Sequence, residues 1–260
     1  MLGRSLKMAF WIFHDHLGAL LIANLIWATA VAIPIGIALP PLFAGDLELG
    51  IVLGIPAVYL SLFLLNPVLG VGIAHMIKTA IDTRDAGIGD FFAGVRLYGF
   101  RAAALGLCYA IAALALGTSA WFYAAKLQST YPLIGYGISA LAVWLLALVG
   151  LTAQFTLPAL VQRKAGTFAT LRLTALLVLA NPGLCIGIAV QCLMITIVVA
   201  VLLPLFFAGY GAAFLCIPSA AYELLARKYA VGGLAASPVD DASDDYLNRG
   251  LKDLLFPWKQ

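Results

Sequence analysis

Charge is what this sequence has least of. Asp, Glu, Lys and Arg supply 10% of its 260 residues, whereas 63% are hydrophobic. A water-soluble domain carries about 25% charged residues, and a chain with far fewer exposes apolar patches that drive association. The sequence is therefore not expected to fold in water, and a bilayer is the solvent that fits it. A net charge of +3, with no Lys/Arg blocks interleaved with aromatics, argues against a nucleic-acid partner. Reaction motifs are missing as well. There is no phosphate-binding glycine loop, dinucleotide fingerprint, HExxH or GxSxG, and no carboxylate pair lies inside an apolar segment to act as acid and base. No catalytic residue, no metal and no cofactor is expected, and the chain is read as a non-enzyme. Cys108, Cys185, Cys192 and Cys216 stand singly in apolar segments and read as packing residues. His14 and His16 flank Asp15, but residues two apart point to different faces of a helix, and no other cluster completes a metal site.

What is present is long and apolar. A transmembrane helix needs about 20 consecutive apolar residues. Six apolar segments can be cut out, at roughly 17–44, 50–77, 102–125, 133–161, 183–207 and 209–226, the last short enough to be half-buried rather than spanning. The first is too long for a cleaved signal peptide. The expected fold class is thus all-α, a polytopic integral membrane helical bundle of about six transmembrane helices. Of the 15 Lys and Arg residues, all but Lys126 fall on one side of that arrangement. Because short cytoplasmic loops hold the basic residues, both termini are expected in the cytoplasm. Pro34, Pro40, Pro41, Pro56, Pro67 and Pro204 predict bent spans.

A segment with helical apolar spacing precedes each hairpin. The first carries Leu2, Leu6, Phe10, Phe13 and Leu17; the second Ile88, Phe91, Phe92, Val95 and Tyr98; the third Phe168, Leu171 and Ala175. Such stripes suit amphipathic helices lying in the interface plane. Either the unit is an interfacial helix plus a hairpin, three times over, or these segments simply begin long tilted spans.

Polar groups inside the apolar segments are few. Asn24, Asn66, His75, Gln154 and Gln191 form a candidate intramembrane polar cavity if they converge, and otherwise bridge helices by hydrogen bonds. Asn66-Pro67 and Asn181-Pro182 suit helix breaks, because the residue before proline avoids the helical region. Glu223 and Arg227, four apart on one helical face, are expected to form an ion pair.

The chain divides into a membrane domain (1–230), an acidic flexible linker (231–245) and a C-terminal amphipathic docking helix (246–260). The linker holds four aspartates, small residues and a proline, a composition that buries no core. Beyond it, Tyr246, Leu247, Leu251, Leu254 and Leu255 form a narrow apolar stripe, Asp244 or Asp245 is placed to cap the helix, and Trp258 suits a headgroup boundary. This tail is expected to dock on the protein's own face, on the membrane, or on a partner.

"NLIW" (Asn24 to Trp27), Pro34 late in the same segment, and "DFFAGVRLYGFRAAALG" (Asp90 to Gly106) are similar to the YesL-like family of bacterial polytopic membrane proteins. "QFTLPAL" and "VLANPG" fit the same pattern loosely. The resemblance implies a multi-pass protein of the bacterial cytoplasmic (inner) membrane, of a family often encoded near carbohydrate uptake systems. It carries over no catalytic residues, and the acidic linker and closing helix are not part of the pattern. The expected function is that of a non-enzymatic accessory or scaffold protein. Its partners would be the lipid bilayer and another membrane protein, engaged through the C-terminal or interfacial helices. The alternative is a small permease or transport-system subunit for a neutral or lipid-like solute.

Overall fold

The computed structural model describes residues 1–126, 131–164, 166–229, 244–250 and 253. Most of the linker (231–243), three members of the tail stripe (Leu251, Leu254 and Leu255) and Trp258 lie outside the described residues. Among the described residues the chain is helical throughout, with no strand. The helices are α1 (Leu2–Asp15), α2 (Leu17–Phe43), α3 (Leu47–Tyr59), α4 (Asn66–Thr83), α5 (Ile88–Ala125), α6 (Pro132–Arg163), α7 (Thr167–Ala180), α8 (Pro182–Val201), α9 (Gly211–Tyr229) and a single turn, α10 (Asp245–Asn248).

Local chemistry sets the boundaries. Asp46 caps α3 by accepting from the Leu49 amide at 3.0 Å. The Asp90 carboxylate reaches back to the Gly87 amide at 2.9 Å and closes the start of α5. Arg84 and Lys164 end α4 and α6 in the left-handed conformation. Proline opens α6 and α8, where its missing N–H costs nothing.

Five helical stretches are long and apolar enough to cross a membrane: Leu17–Pro41, Leu47–Thr83, Ile88–Ala125, Pro132–Arg163 and Pro182–Val201. The second joins α3 to α4 through a widened π-type turn at Leu60–Leu65, immediately before Asn66-Pro67. Asn66 itself stays helical (φ −58°, ψ −53°), so the expected break there is a widening and not an end. The chain does leave the helix at Asn181, before Pro182, and again at Leu202–Tyr210, around Pro204 and Gly209 (φ 144°). By contrast, α2 runs on through Pro34, Pro40 and Pro41.

Helix α9, the sixth apolar segment, differs from those five. It carries Glu223, Arg227 and Lys228 near its end and is buried along most of its length. It packs against α1, α2, α4, α6 and α8, so it forms the axis of the core. Met8, Ile12, Trp27, Ile77 and Phe155 are buried in the same cluster as its own residues. The outward surface is apolar: Ile37, Phe100, Trp144 and Leu179 are exposed, as a hydrocarbon-facing surface requires.

The three segments expected in the interface plane diverge. α1 and α7 are separate helices, but the second segment runs without a break into the 38-residue α5. At about 1.5 Å per residue α5 is about 57 Å long, well beyond a hydrocarbon core of about 30 Å. No proline interrupts it, and Gly94, Gly99 and Gly106 pack against α4 or the turn that precedes it. In α1 the buried face is Ser5, Met8, Ala9, Trp11 and Ile12, while Phe10 and Leu17 from the expected stripe are exposed. The exposed side carries Arg4, His14 and Asp15 beside Phe10, so α1 has one apolar face, turned toward α9.

Candidate functional site

A cavity of about 530 Å³ opens between α2, α6, α8 and the start of α9, at the level of the widened turn and of the Leu202–Tyr210 break. Its volume lies within the range of ligand pockets, roughly 300–1,000 Å³. Most of its lining is apolar, including Val31, Leu62, Leu157, Phe206 and Phe214. Four polar side chains join them, and each is anchored. The Asn66 carbonyl oxygen accepts from the Trp27 indole N–H at 3.1 Å. The Gln154 amide donates to the Cys185 carbonyl at 3.1 Å. Thr196 donates to the Cys192 carbonyl and meets the Tyr210 hydroxyl at 3.0 Å. No charged residue lines the space.

Of the five residues proposed for a polar cavity, Asn66 and Gln154 line this one. Asn24 lies behind its wall, fully buried. Its amide N–H groups donate to the carbonyls of Phe206 and Phe207, and its oxygen accepts from the amides of Gly211 and Ala212. It thus clasps the chain where α9 begins. His75 lies elsewhere, its Nδ1 3.0 Å from the Asp90 carbonyl oxygen and its ring against Tyr98. Gln191 is half-buried on α8 and outside the lining. Trp27, Thr196 and Tyr210 went unnoticed in the sequence. The one local signal was Tyr210 standing between Gly209 and Gly211 in a break.

The basic end of the bundle carries a second constellation. The expected Glu223–Arg227 pair is present at 3.1 Å, and Lys78 reaches the other Glu223 oxygen at 3.2 Å. Arg227 also donates to Asp244 at 2.6 Å, and Arg84 donates to the second Asp244 oxygen at 2.8 Å. Asp244 is fully buried and caps the following turn through the Tyr246 amide at 3.0 Å. The Tyr246 ring is buried under the Arg84 guanidinium, 3.5 Å from its centroid, and its hydroxyl donates to the Ala80 carbonyl. Lys7 donates to the Leu247 carbonyl at 2.6 Å, and Arg249 pairs with Asp15. Residues 244–250 therefore lie on α1, α4 and α9 of their own chain. The helical turn stops at Asn248, since Arg249 is extended (ψ 146°).

Comparison with family models, with curated proteins and with solved structures returns no match for the chain. Among the described residues, no group of three or more His, Cys, Asp or Glu side chains is placed to hold a metal ion.

The charge constellation yields a prediction. Burial alone would raise the Asp244 pKa, but hydrogen bonds and charge from Arg227 and Arg84 outweigh it and hold the carboxyl below its ordinary 3.8. A carboxyl depressed on folding stabilises the fold above its unfolded pKa, and that contribution is lost as pH falls through the folded value. Attachment of residues 244–250 is therefore expected to be constant from neutral pH down to the ordinary carboxylate range, and to loosen only below it. Asp244→Asn should lower stability by about 2–3 kcal/mol at neutral pH, because two guanidinium groups lose a buried counter-charge. Hydrogen exchange at Tyr246 to Arg249 checks both statements; exchange unchanged in the variant would contradict them.

Proposed function

We propose that the chain is a multi-pass membrane protein that binds a neutral, lipid-like solute between its broken helices, as the binding body of a small permease or transport-system subunit. The observation that carries this is the uncharged cavity of about 530 Å³, apolar on most sides and edged by Asn66, Gln154, Thr196 and Tyr210. An ion entering it would shed water without gaining a counter-charge, at a cost of several kcal/mol. A solute with an apolar body and an uncharged hydrogen-bonding group meets complementary surface throughout.

In this proposal α9 counts as a sixth crossing, packed against α2, α4, α6 and α8. The basic end faces the cytoplasm, and the membrane is the bacterial inner membrane that the YesL-like resemblance implies. No covalent step is assigned. The rival role, an accessory or scaffold protein, rests on the missing buried charges, on interfacial helices and on a tail able to hold a partner. The described part of that tail is engaged with α1, α4 and α9, which favours the solute-binding role.

The test uses a long-chain alkyl alcohol bearing a photoactivatable diazirine, added to the purified protein in nanodiscs. Crosslinks are expected in peptides spanning residues 153–157 and 196–200. Ala200→Trp, which fills the cavity from its rim, should reduce them about tenfold, a loss of about 1.4 kcal/mol in binding. Labelling confined to the outward faces of α5 and α6, and indifferent to Ala200→Trp, would sink the proposal.

A further inference from the structure

A smaller pocket of about 240 Å³ lies at the basic end, separate from the cavity between the helix breaks. Leu173, Leu176, Leu177 and Ala180 of α7 form one wall, and Tyr222, Leu225, Ala226 and Tyr229 of α9 the other. Asn181 and Tyr229 close one end through paired hydrogen bonds of 2.8 and 3.0 Å. Arg163 belongs to the lining and is exposed, with its guanidinium beside the Tyr222 phenol.

Further cations neighbour the lining residues along the chain. Lys228 sits 5.2 Å from the centroid of the Tyr229 ring. Arg172 immediately precedes Leu173 and lies one turn before Leu176 on α7. Lys164 follows Arg163, and its carbonyl accepts from Arg101. Among the described residues no carboxylate is in the lining, and the nearest one along α9, Glu223, is held by Lys78 and Arg227.

We infer that this pocket is a binding site for an anionic phospholipid, with the phosphate at Arg163 and one acyl chain between α7 and α9. A guanidinium offers a planar fork that fits phosphate oxygens, and basic pockets between helices at a membrane surface suit acidic headgroups. The volume equals that of roughly eight waters at about 30 Å³ each, enough for a segment of one acyl chain. A free phosphate would gain the guanidinium and then face leucine on both walls. A lipid uses both halves of the site. The surroundings are also those a lipid approaches, since Phe168 and Leu179 on α7 are exposed.

The experiment is native mass spectrometry of the full chain, released from micelles containing equal amounts of dioleoyl phosphatidylglycerol and dioleoyl phosphatidylcholine. Phosphatidylglycerol is expected to be retained in preference, by about thirtyfold if two cations contact the headgroup. The double variant Arg163→Gln/Arg172→Gln should remove the preference. Ala226→Phe keeps every charge but fills the groove, and should lower retention of the same lipid. Glycerol phosphate at millimolar concentration should not displace it. Both sets of substitutions leave α9's ion pairs intact, and an unchanged elution volume establishes that the variants fold. Equal retention of the two lipids overturns the inference. So does a preference that survives Ala226→Phe, which would mean general attraction to a basic surface. Displacement by glycerol phosphate would assign the site to a soluble phosphate instead.

Discussion

Asn24→Leu is expected to destabilise the fold by on the order of 4 kcal/mol, because one side chain serves four backbone groups. The Asn24 oxygen accepts from the Gly211 amide at 2.7 Å and the Ala212 amide at 3.3 Å, and its nitrogen donates to the Phe206 carbonyl at 3.1 Å and the Phe207 carbonyl at 2.8 Å. These groups exist because the chain breaks between α8 and α9. The first amides of a helix and the carbonyls before a break have no partner of their own. Gly209 makes the break possible: its φ of +144° is closed to ordinary side chains, and a Cβ there would stand 3.2 Å from Leu21 and Phe13 atoms. In leucine's place the four groups would be buried away from water, where each unsatisfied one costs about 1–3 kcal/mol before relaxation. Asn24→Asp, which keeps the acceptor and loses the donor, should fall between wild type and leucine. Thermal unfolding of the detergent-solubilised protein, followed by loss of its monodisperse peak, measures the series. A leucine variant within about 0.5 kcal/mol of wild type would show that water or another donor serves these groups.

Gly106→Ala should be as severe, for a steric reason. The widened turn at Leu60–Leu65 pushes the Phe63 carbonyl onto α5. A Cβ on Gly106 would overlap that oxygen and lie 2.7 Å from the Pro67 ring. The obstruction is backbone, so no rotamer change relieves it. Overpacking costs typically about 1–3 kcal/mol, and this contact belongs at or beyond the upper end. The same seam continues at Gly94, where a Cβ would stand 3.0 Å from the Gly72 Cα. Gly117 on the same helix has nothing within 4 Å of the added carbon. Gly117→Ala is therefore expected to be neutral, or to gain up to about 1 kcal/mol from helix propensity. Urea or heat unfolding of the two variants side by side decides the matter. Equal stability of Gly106→Ala and Gly117→Ala would mean that α4 and α5 are not in contact as described.

How much of this was visible in the sequence follows from distance along the chain. The apolar segments were legible because length and composition alone identify them. Glu223 with Arg227 was legible because four residues make one turn, and the capping role of Asp244 because caps are local. The clasp by Asn24 joins residues 182 to 188 positions apart, and nothing near Asn24 announces it. Asp244 was read as linker for the same reason: its partners Arg84 and Arg227 come from distant helices. The continuity of α5 matches the second of the two readings open for these segments, a long span that begins early. The sequence does not choose between them, because a charged stretch, Asp90 to Arg101, resembles an interfacial element until its packing on α4 is known. The cavity was half legible. Amides inside apolar segments stand out, whereas Trp27 and Tyr210 pass for ordinary packing residues.

The surface beneath Asp244 to Gly250 is assembled from the first helix of the chain and from α9, with Lys7 and Asp15 on one side and Arg227 on the other. Neither portion can receive these residues alone, so the attachment forms only after the ribosome has delivered both. A translation product halted before α9 would leave Trp11 and Met8 of α1 uncovered, and it is such a product that a quality-control protease would encounter. The same proximity means that two halves of a split reporter, one fused ahead of α1 and the other after the described tail residues, would be brought into reach of each other by folding itself.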